Sequence, residues 1–485
     1  MTTTGPHPRT LGRTTAHRLP PALRPALDAG ALRTRVLHFG LGAFHRAHQA
    51  LYTENAALRS GEPWGITAVA PRSVETVRAL RAQDCLYTLT EQHPEGPRSR
   101  VLSALTGALA MTEDTGRIDA LLTDPEVTVV TLTVTEKGYH ARGGTLDRTD
   151  PAIAADLAAT ADPAPTGART VIGRLATGLA ARMRTTGAPI SVVSCDNMAG
   201  NGAVLGAAVR AFTEASGWPD RHTVLERMTS AVTFPATVVD RIVPATTDAD
   251  RAAVAAALGL TDALPVTAEP YRQWILQDTF AAPRPPWEHD GALFVADPAP
   301  YQLTKLRLLN GSHSALAYLG LAAGATTVDG TLATDWGEPL VRALCAEVAR
   351  TLPPGGPDPA AYTEALVTRF RNPAIGHRLR QIGSDGSLKI PERWLPALRT
   401  LRAVGAATPA LELALAGWVL STHPGAGTTD PAATTLAAQH LPEDPAGTVR
   451  ALLTALGAPD LAGDQALTAA VAARLPALRA GRVEI

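Results

Sequence analysis

The chain has 485 residues, of which 45% are hydrophobic and 18% charged, enough for two or three globular domains with sizeable cores. Its 44 basic and 45 acidic residues leave a net charge of −1, which argues against a nucleic-acid or membrane-surface partner. The three cysteines are far apart and odd in number, as expected for a protein of the reducing cytoplasm. No stretch reaches about 18 uninterrupted apolar residues, so no membrane span is predicted.

Residues 1–32 form a leader that is rich in Pro, Thr and Arg. The leader lacks the continuous apolar core of a secretory signal, although its Arg and Thr content leaves an organellar transit peptide conceivable. We expect it to be mobile or draped over the surface ahead of the first domain.

The stretch RVLHFGLGAFHRAHQALYTENAALRS, residues 35–60, predicts a strand at 35–39, a glycine turn and an amphipathic helix. Such a unit brings backbone N–H groups and a helix start to the diphosphate of a dinucleotide. Gly40 makes the tight turn and Gly42 allows close approach, but His45 takes the third glycine position, so the fingerprint is incomplete. The predicted cofactor contacts in this turn are Gly40, Gly42, Ala43 and Phe44.

Two histidines of this stretch, His45 and His48, raise the alternative of a metal pair. No carboxylate or cysteine stands at ligand spacing beside them. We therefore predict no metal, and cofactor binding is the chemistry expected of this stretch.

The second strand is predicted at Trp64–Ala70. A typical NAD site places an acidic residue near the end of this strand, where it accepts a hydrogen bond from the ribose 2′-hydroxyl. Here Pro71, Arg72 and Ser73 follow the strand, and the first acid is Glu75. Arg72 either meets a 2′-phosphate or is simply exposed, so NAD is expected and NADP is not excluded.

A β-branched run at Glu126–Glu136 predicts a buried parallel strand, and a further β segment is expected at Asp84–Thr90. Ligand sites in doubly wound folds lie beyond the carboxyl ends of the strands. Glu136 and Lys137 stand at that point of the first run, so they are candidate contacts to the cofactor. The alternative is an ordinary solvated strand end.

Another buried strand is predicted at Pro189–Cys195, after a helix at about 168–184. It leads into the string SCDNMAGNG, which places Asp196, Asn197 and Asn201 before a glycine turn. Small polar residues at such a position commonly cap helices. They also stand beyond a strand end, where a ligand site is expected.

The string FPATVVDRIVP, Phe234–Pro244, is the most specific of the sequence. Asp240 and Arg241 lie at its centre, and Arg241 has the alternative of a structural ion pair. The proline-rich stretch AAPRPPWEHDG, residues 281–291, predicts a junction between domains.

The segment YQLTKLRLLNGSHS, Tyr301–Ser314, places an amine, an amide and an imidazole on one predicted helix. Asn310 and His313 are three residues apart and share a face. Lys305 lies within about 140° of that face at roughly 100° per residue. Gly311 lies inside this predicted helix, where a tolerated glycine often marks the close approach of a ligand or another backbone.

These strings, in this order over roughly residues 33–395, resemble the mannitol dehydrogenase family of polyol-specific long-chain dehydrogenases and reductases. The resemblance is closest to the fructuronate reductase branch. It implies an N-terminal Rossmann-type domain with a parallel sheet at 33–287, a mainly α-helical C-terminal domain at 288–485, and an active site between them. It also implies a metal-independent oxidoreductase that transfers hydride between a nicotinamide and a secondary alcohol or ketone.

The resemblance assigns roles to individual residues. Lys305 is expected to be the acid/base, with Asn310 and His313 binding the reacting oxygen and hydroxyls. Asn201 is expected to help hold the substrate oxygen, Asn197 to lie nearer the cofactor, and Asp240 to lie near substrate hydroxyls. In the segment FRNPAIGHRLRQIGSDGSLKIPERW, the residues expected to bind the far end of the substrate are His377, Arg378, Gln381 and Lys389.

A sugar acid is the favoured substrate, with interconversion of D-fructuronate and D-mannonate ahead of mannitol oxidation to fructose. Arg378 and Lys389 are the cations expected to meet the uronate carboxylate. The alternative for Arg378 is an exposed helix position. A dinucleotide-binding sensor without turnover and a sugar-acid isomerase stay open as other classes, and the chain is expected to be a monomer or small homo-oligomer.

Overall fold

A computed structural model describes residues 9–142, 144–161, 167–426 and 429–485. They form two compact units, the first ending at Pro298 and the second running from Ala299 to Ile485. The sequence expectation placed the change of domain after residue 287. In the structure the strand Leu293–Val295 pairs in parallel with Gln273–Gln277, so the proline-rich stretch lies within the first unit.

Six parallel strands make the central sheet of the first unit. We number them β1 to β6 in chain order: Arg33–Phe39, Trp64–Ala70, Leu105–Ala110, Val129–Leu132, Ile190–Ser194 and Val232–Thr233. Their spatial order is β3-β2-β1-β4-β5-β6, and each neighbouring pair is parallel. This is the doubly wound order of a dinucleotide-binding Rossmann sheet.

The sheet separates two hydrophobic cores because successive residues of a strand point to opposite faces. In β1, Val36 packs into one core, while Leu37 and Phe39 pack into the other. A parallel sheet buried on both faces needs near-continuous apolar strands, which is the pattern of the sequence here. The predicted N-terminal Rossmann-type domain is confirmed.

The chain switches direction across the sheet at β1, since β2 lies on one side of it and β4 on the other. Phe39, the last residue of β1, is in register with Val69 of β2 and Leu132 of β4. Ligands of doubly wound sheets bind beyond the carboxyl ends of the strands at this switch point. The first glycine turn, which begins at Gly40, therefore leaves the sheet at the expected ligand edge.

The strand predicted at Trp64–Ala70 has these bounds in the structure, and that prediction is confirmed. The run Glu126–Glu136 is strand only at β4, because the chain then turns into a short 3-10 helix, Glu136–Tyr139. The strand expected at Asp84–Thr90 begins later, at Tyr87. Asp84 and the next residue have φ of +52° and +63°, which breaks an extended strand.

Other strands of the first unit lie outside the central sheet: Tyr87–His93, Gly96–Leu102, Ala141–Arg142, Thr145–Leu146, Thr237–Asp240, Val266–Ala268, Gln273–Gln277 and Leu293–Val295. Its helices are Arg13–Ala16, Pro21–Leu23, Ala43–Ala47, Gln49–Ser60, Val74–Ala82, Thr115–Thr123, Glu136–Tyr139, Pro151–Ala159, Val171–Thr185, Asn201–Ala215, Arg221–Ala231, Asp248–Leu258 and Trp287–Asp290. The predicted helix at about 168–184 corresponds to Val171–Thr185.

The described part of the predicted leader packs on the first unit, whereas residues 1–8 lie outside the described residues. Leu11 and Leu19 are fully buried in a small apolar cluster with Leu86 and Val254. The amide of Leu11 also donates to the carbonyl of Thr261 at 2.8 Å. The surface-draped alternative for this segment is therefore the one that the structure favours.

The second unit is helical, as predicted, with these elements: Ala299–Thr304, Lys305–Asn310, Gly311–Ala322, Val328–Leu332, Gly337–Ala349, Pro359–Phe370, Pro373–Ile375, Leu379–Gly383, Gly386–Arg393, Leu395–Ala403, Pro409–Ser421, Ala433–Ala437, Pro445–Ala455, Pro459–Ala462 and Gln465–Arg479. Gly311–Ala322 is buried along nearly its whole length and forms the central helix of the unit. Such all-round burial suits its apolar sequence. None of the described helices is long and apolar enough to cross a membrane.

One buried acid of the first unit gives a test of this packing. Glu54, on the helix Gln49–Ser60, is buried and accepts hydrogen bonds from the amides of Ser103 and Ala104 at 2.6 and 2.9 Å. Burial raises the pKa of Glu54 from 4.5 to about 7. Between these two pH values the folded chain binds the proton more tightly than the unfolded chain, so its stability falls as the pH rises.

We predict that Glu54→Gln raises the free energy of unfolding at pH 8 by about 2 kcal/mol, because the amide keeps an acceptor oxygen and carries no charge. The gain should shrink to about 0.4 kcal/mol at pH 4.5, where the wild-type carboxyl is protonated in the folded chain and half protonated in the unfolded chain. Urea unfolding followed from pH 4.5 to 8 measures this, with the exposed Glu95→Gln as control. A difference that does not change with pH would contradict the assignment.

Candidate active site

The first glycine turn has the geometry that a dinucleotide requires. Gly40 has φ of +115°, and a Cβ there would lie 2.0 Å from the carbonyl oxygen of Thr133, so only glycine fits. A Cβ on Gly42 would meet only the Gly40 carbonyl, at 3.9 Å, so the protein does not fill the space beside it. The helix Ala43–Ala47 begins directly after this open position. The turn therefore fits the close approach of a diphosphate.

Two side chains form hydrogen bonds to the carbonyl oxygen of Gly40. His38 Nε2 lies 3.0 Å from this oxygen, and the Thr133 hydroxyl donates to it at 2.9 Å. Because a carbonyl oxygen can only accept, the proton of a neutral His38 ring lies on Nε2, and Nδ1 accepts from the hydroxyl of Thr131 at 2.7 Å. Burial lowers the pKa of His38 to about 3, so the ring stays neutral.

His45 explains how the turn works without a third glycine. Its ring stacks on the ring of His38 with centroids 3.4 Å apart and planes 11° from parallel. The third glycine of the fingerprint normally allows close packing of helix on strand. Here two stacked flat rings make that contact, and burial keeps the pKa of His45 well below its ordinary value.

The neighbouring histidine has a structural role as well. His48 Nε2 bonds the carbonyl of Gln273 at 2.9 Å, and its ring packs among Phe44, Tyr52 and Trp274. Burial lowers the pKa of His48 to about 3. Over the described ranges, no group of three or more His, Cys, Asp or Glu side chains could hold a metal ion.

A cleft of about 500 Å³ opens at the carboxyl ends of β1 to β4. It is lined by the glycine turn, by the ends of β2, β3 and β4, and by the start of the helix Val171–Thr185. Among the predicted cofactor residues, those that line it are Gly40, Gly42, Arg72 and Lys137. Ala43 and Phe44 are half-buried in the helix that follows the turn, and Glu136 is exposed beside Lys137.

The β2 end of this cleft carries a cation where an acid is usual. Pro71, Arg72 and Ser73 line it, and the Arg72 side chain is exposed. Ser73 caps the helix Val74–Ala82 by accepting from the amide of Thr76 at 3.2 Å.

The loop after β4 is held by a buried carboxylate that the sequence did not single out for this role. Asp196 accepts from the amides of Val134 and Thr135 at 3.2 and 2.8 Å and from the Tyr139 hydroxyl at 2.7 Å. Burial is the main cause that raises the pKa of Asp196. Thr135 has φ of +67°, a strained conformation for a β-branched residue. The hydrogen bonds to Asp196, which we call the Asp196 clamp, therefore stabilise a strained residue at the rim of the cleft.

The two asparagines after β5 differ in exposure. Asn197 is exposed, whereas Asn201 is buried at the start of the helix Asn201–Ala215. The Asn201 amide nitrogen donates to the carbonyls of Asp196 and Thr237, both at 3.0 Å. Its oxygen accepts from the amides of Gly202 and Thr237 at 2.8 and 2.9 Å. In this structure Asn201 therefore joins two loops.

Asp240 is buried at the end of the strand Thr237–Asp240. The adjacent Arg241 forms a buried ion pair with Glu91, and it also donates to the carbonyls of Glu269, at 2.9 Å from Nε, and Ala47. The structural alternative for Arg241 is confirmed.

In the second unit, Lys305–Asn310 forms a π-helical turn between the α-helices Ala299–Thr304 and Gly311–Ala322. The amide of Gly311 donates to the carbonyl of Leu306, the i to i+5 bond that defines this geometry. The sequence predicted an uninterrupted α-helix here, and that prediction was wrong at these residues. Single π turns inside α-helices are rare and occur frequently at functional sites.

The π turn changes which side chains share a face. A π turn holds about 4.4 residues, so each residue advances roughly 80° instead of about 100°. Lys305 and Asn310 are then roughly 50° apart instead of about 140°. With three further α-helical steps, His313 comes within roughly 10° of Lys305. In this ideal geometry all three side chains would lie within an arc of roughly 60°, which is tighter than the α-helix expected from the sequence.

The partners of these three residues fix their environment. Lys305 and His313 are buried and Asn310 is half-buried. The His313 ring packs on Phe370 with centroids 4.4 Å apart and meets the edge of His377 at 5.1 Å. Burial, and then the charges of His377 and other cations including Lys305, keep the pKa of His313 well below its ordinary value.

The glycine in this segment has a less decisive role than expected. A Cβ on Gly311 would lie 3.4 Å from Nε1 of Trp394, which is close to an ordinary contact. The same Trp394 nitrogen donates to the Gly311 carbonyl at 3.2 Å. The close neighbour here is therefore a side chain of the protein.

The segment expected to bind the far end of the substrate splits into two kinds of residue. Arg378 and Gln381 are exposed, and His377 is half-buried beside His313. The Lys389 ammonium donates to the carbonyls of Ile382 and Ser384 at 3.2 and 2.5 Å. Burial lowers the pKa of Lys389, and in this structure its amine closes the end of the helix Leu379–Gly383.

The rarity of lysine is a further sequence signal for candidate site residues. Among the 44 basic residues only three are lysines: Lys137, Lys305 and Lys389. Each stands in a segment with a candidate role. Arginine serves as the cation nearly everywhere else, yet it cannot release its proton in a protein. The three lysines are therefore the positions at which this chain has a compact basic group that can release its proton.

Sequence comparison assigns both units to one family. The family profile described as the mannitol dehydrogenase Rossmann domain matches residues 34–289. The profile described as the mannitol dehydrogenase C-terminal domain matches residues 297–478.

Individual relatives agree with this assignment. The D-mannonate oxidoreductase of Escherichia coli (strain K12) is 38% identical over 417 residues, 83% of this chain and 83% of the relative. A mannitol 2-dehydrogenase of Cereibacter sphaeroides is 37% identical over 410 residues, 81% of this chain and 82% of the relative.

Solved structures share the fold over nearly the whole chain. The Pseudomonas fluorescens mannitol 2-dehydrogenase, in a ternary complex with NAD and D-mannitol, matches with a TM-score of 0.77 and 32% identity, covering 97% of each chain. A substrate-free D-sorbitol dehydrogenase matches with a TM-score of 0.84 and 28% identity, covering 98% of this chain and 100% of the other. The chain therefore belongs to the mannitol dehydrogenase family of nicotinamide-dependent oxidoreductases that act on secondary alcohols.

Proposed function

We propose that this protein interconverts D-fructuronate and D-mannonate with NAD, using Lys305 as the proton acceptor and donor. The observation that carries the proposal is the π turn at Lys305–Asn310, because ideal π geometry puts the side chains of Lys305, Asn310 and His313 within an arc of roughly 60°. Reversible oxidation of a secondary alcohol needs a base, a donor to the developing oxyanion and a group that orients hydroxyls. These three side chains supply that set.

Each side chain contributes a separate step. In oxidation the Lys305 amine accepts the hydroxyl proton, and in reduction it returns the proton to the oxygen. The Asn310 amide donates to the oxygen as negative charge develops, a contribution commonly worth about 10²- to 10³-fold in rate. His313 is neutral, and its Nε2 has no hydrogen-bond partner among the described residues, so it is suited to orient a substrate hydroxyl.

Asn201 enters the proposal as a second donor to the substrate oxygen. Its amide nitrogen already donates to the carbonyls of Asp196 and Thr237. The role therefore requires the substrate oxygen to replace one of these acceptors. Asp240 keeps its proposed place near the substrate hydroxyls.

NAD supplies the hydride acceptor when it is bound. The residues of the first unit fit it, because Gly40 has the required positive φ and the space beside Gly42 is open. Ala43, Phe44, Glu136, Lys137 and Asn197 are the further proposed contacts. A member of the family solved with NAD bound supports this choice of cofactor.

We propose a uronate substrate because its negative charge matches the cations of the segment that contains Arg378 and Lys389. A hexuronate differs from a ketohexose by a terminal carboxylate, which an arginine binds best because its planar fork matches the two oxygens. Arg378 is exposed and adjoins His377, with Gln381 on the same short helix, whereas the Lys389 amine is already engaged with two carbonyls. Arg378 is therefore the proposed carboxylate ligand.

Mannitol oxidation to fructose is the second candidate. The mannitol 2-dehydrogenase relative is almost as similar as the D-mannonate oxidoreductase, at 37% against 38% identity. Overall similarity therefore does not decide between the two substrates. We place the reaction in the cytoplasm, where the buried free thiols of Cys85, Cys195 and Cys345 stay reduced.

The role of Lys305 predicts that Lys305→Ala lowers kcat by about 10²- to 10⁴-fold, because the chemical step loses its base. Lys305→Arg should lose activity as well, since a guanidinium keeps its proton. Stopped-flow turnover at saturating NAD and substrate measures both, while fluorescence titration with NAD should give an unchanged Kd. An arginine variant with near-full turnover would refute a proton-transferring role.

The cationic end of β2 predicts imperfect discrimination between the two cofactors. Arg72→Asp should raise kcat/KM for NAD relative to NADP by about tenfold or more, because a carboxylate accepts from the ribose 2′-hydroxyl and repels a 2′-phosphate. The exposed Arg78→Asp, on the following helix, is the matched control. If the two cofactors keep the same ratio in Arg72→Asp, this side chain does not reach the 2′ position.

The carboxylate assignment predicts a clear preference for D-fructuronate over D-fructose. Arg378→Ala should lower kcat/KM for the uronate by about 10- to 100-fold while changing the value for fructose much less. Arg380→Ala, exposed on the same short helix, is the control. Preference for fructose, or an equal loss on both substrates, would overturn the assignment in favour of the second candidate.

A further inference from the structure

The π turn must be held by something, because a π-helix is rarely stable by its own geometry. Its junction with the following α-helix lies at Asn310 and Gly311. Two consecutive residues, Arg393 and Trp394, reach this junction from the end of the helix Gly386–Arg393. Neither was singled out from the sequence.

Their hydrogen bonds are directed to the backbone of the junction. Arg393 Nη1 donates to the carbonyl of Asn310 at 3.1 Å and to the hydroxyl of Ser314 at 2.8 Å. Trp394 Nε1 donates to the carbonyl of Gly311 at 3.2 Å. Two successive carbonyls at the π-to-α junction therefore each have a side-chain donor from a neighbouring helix.

The hydrogen bonds of Arg393 go to a carbonyl and a hydroxyl oxygen. Burial lowers the pKa of its guanidinium. A charged donor to a carbonyl is stronger than a neutral one. The cost of partly burying this charge is therefore offset by its bonds to the junction.

We propose that Arg393, assisted by Trp394, is a positioning residue that holds the π register of Lys305–Asn310. The inference rests on the proposed function, because that function needs Lys305, Asn310 and His313 on one face. Without the Arg393 bond, rewinding the segment as α-helix would spread the three side chains from roughly 60° to about 140°. Arg393 thus acts on the reaction only through the backbone of the segment that carries the base.

The test compares Arg393→Ala, Arg393→Lys and the control Arg399→Ala, a half-buried arginine that pairs with Asp460, in the full chain with NAD and D-mannonate. We expect Arg393→Ala to lower kcat by about 10²-fold, since a displacement of about 1 Å can have that effect. KM for NAD should stay within about twofold. Ethylguanidinium added at millimolar concentration, or lysine at this position, should restore part of kcat, whereas Arg399→Ala should match the wild type.

Two results would overturn the inference: unchanged kcat in Arg393→Ala, or a loss confined to KM for the sugar acid, which would make Arg393 a substrate ligand. If Arg393→Ala does not fold, Trp394→Phe removes one donor while keeping most of the buried ring. It should lower kcat by about tenfold, and an unchanged kcat would contradict the proposal. Failure of the proposed function is distinguishable, because the wild-type chain itself would then fail to oxidise D-mannonate.

Discussion

The chemistry proposed for the second unit depends on one turn of π-helix. Its i to i+5 hydrogen bond runs from the amide of Gly311 to the carbonyl of Leu306. In this geometry each residue advances by a smaller angle around the helix axis than in an α-helix. Ideal π geometry puts Lys305 roughly 50° from Asn310 around the axis, where an α-helix would put it about 140° away. The central helix Gly311–Ala322 is buried on nearly all sides, so this register is locked by the packing of the unit.

The first unit shows a comparable arrangement, in which buried polar groups fix a short stretch of backbone at a ligand edge. His38 and Thr133 hold the Gly40 carbonyl, and Asp196 holds the amide of the strained Thr135, which also lines the cleft. Both groups lie at the ends of strands that neighbour the topological switch. Because these bonds exist before a ligand arrives, less conformational freedom is lost when the cofactor binds.

The sequence predicted the parts of the structure that depend on local patterns. Apolar β-branched runs located β2 and β4, and the glycine turn was recognised although His45 replaces its third glycine. It did not predict the π turn, because the extra residue in a helix leaves no periodic signal. The clamp by Asp196 and the junction contacts of Arg393 join residues about 60 and 80 positions apart, which only tertiary structure brings together. The scarcity of lysine was visible in the composition, and Lys305 is one of its three positions.

The central claim is direct hydride transfer between the substrate carbon and the nicotinamide, with the Lys305 amine moving only the hydroxyl proton. It is tested most directly with D-mannonate deuterated at the carbon that becomes the ketone. After turnover with NAD, mass spectrometry of the reduced cofactor should show one deuterium, and Lys305→Ala should slow its appearance. Loss of the deuterium to water, with unlabelled or no reduced cofactor, would indicate proton abstraction from carbon, as in an isomerase, and would contradict the account.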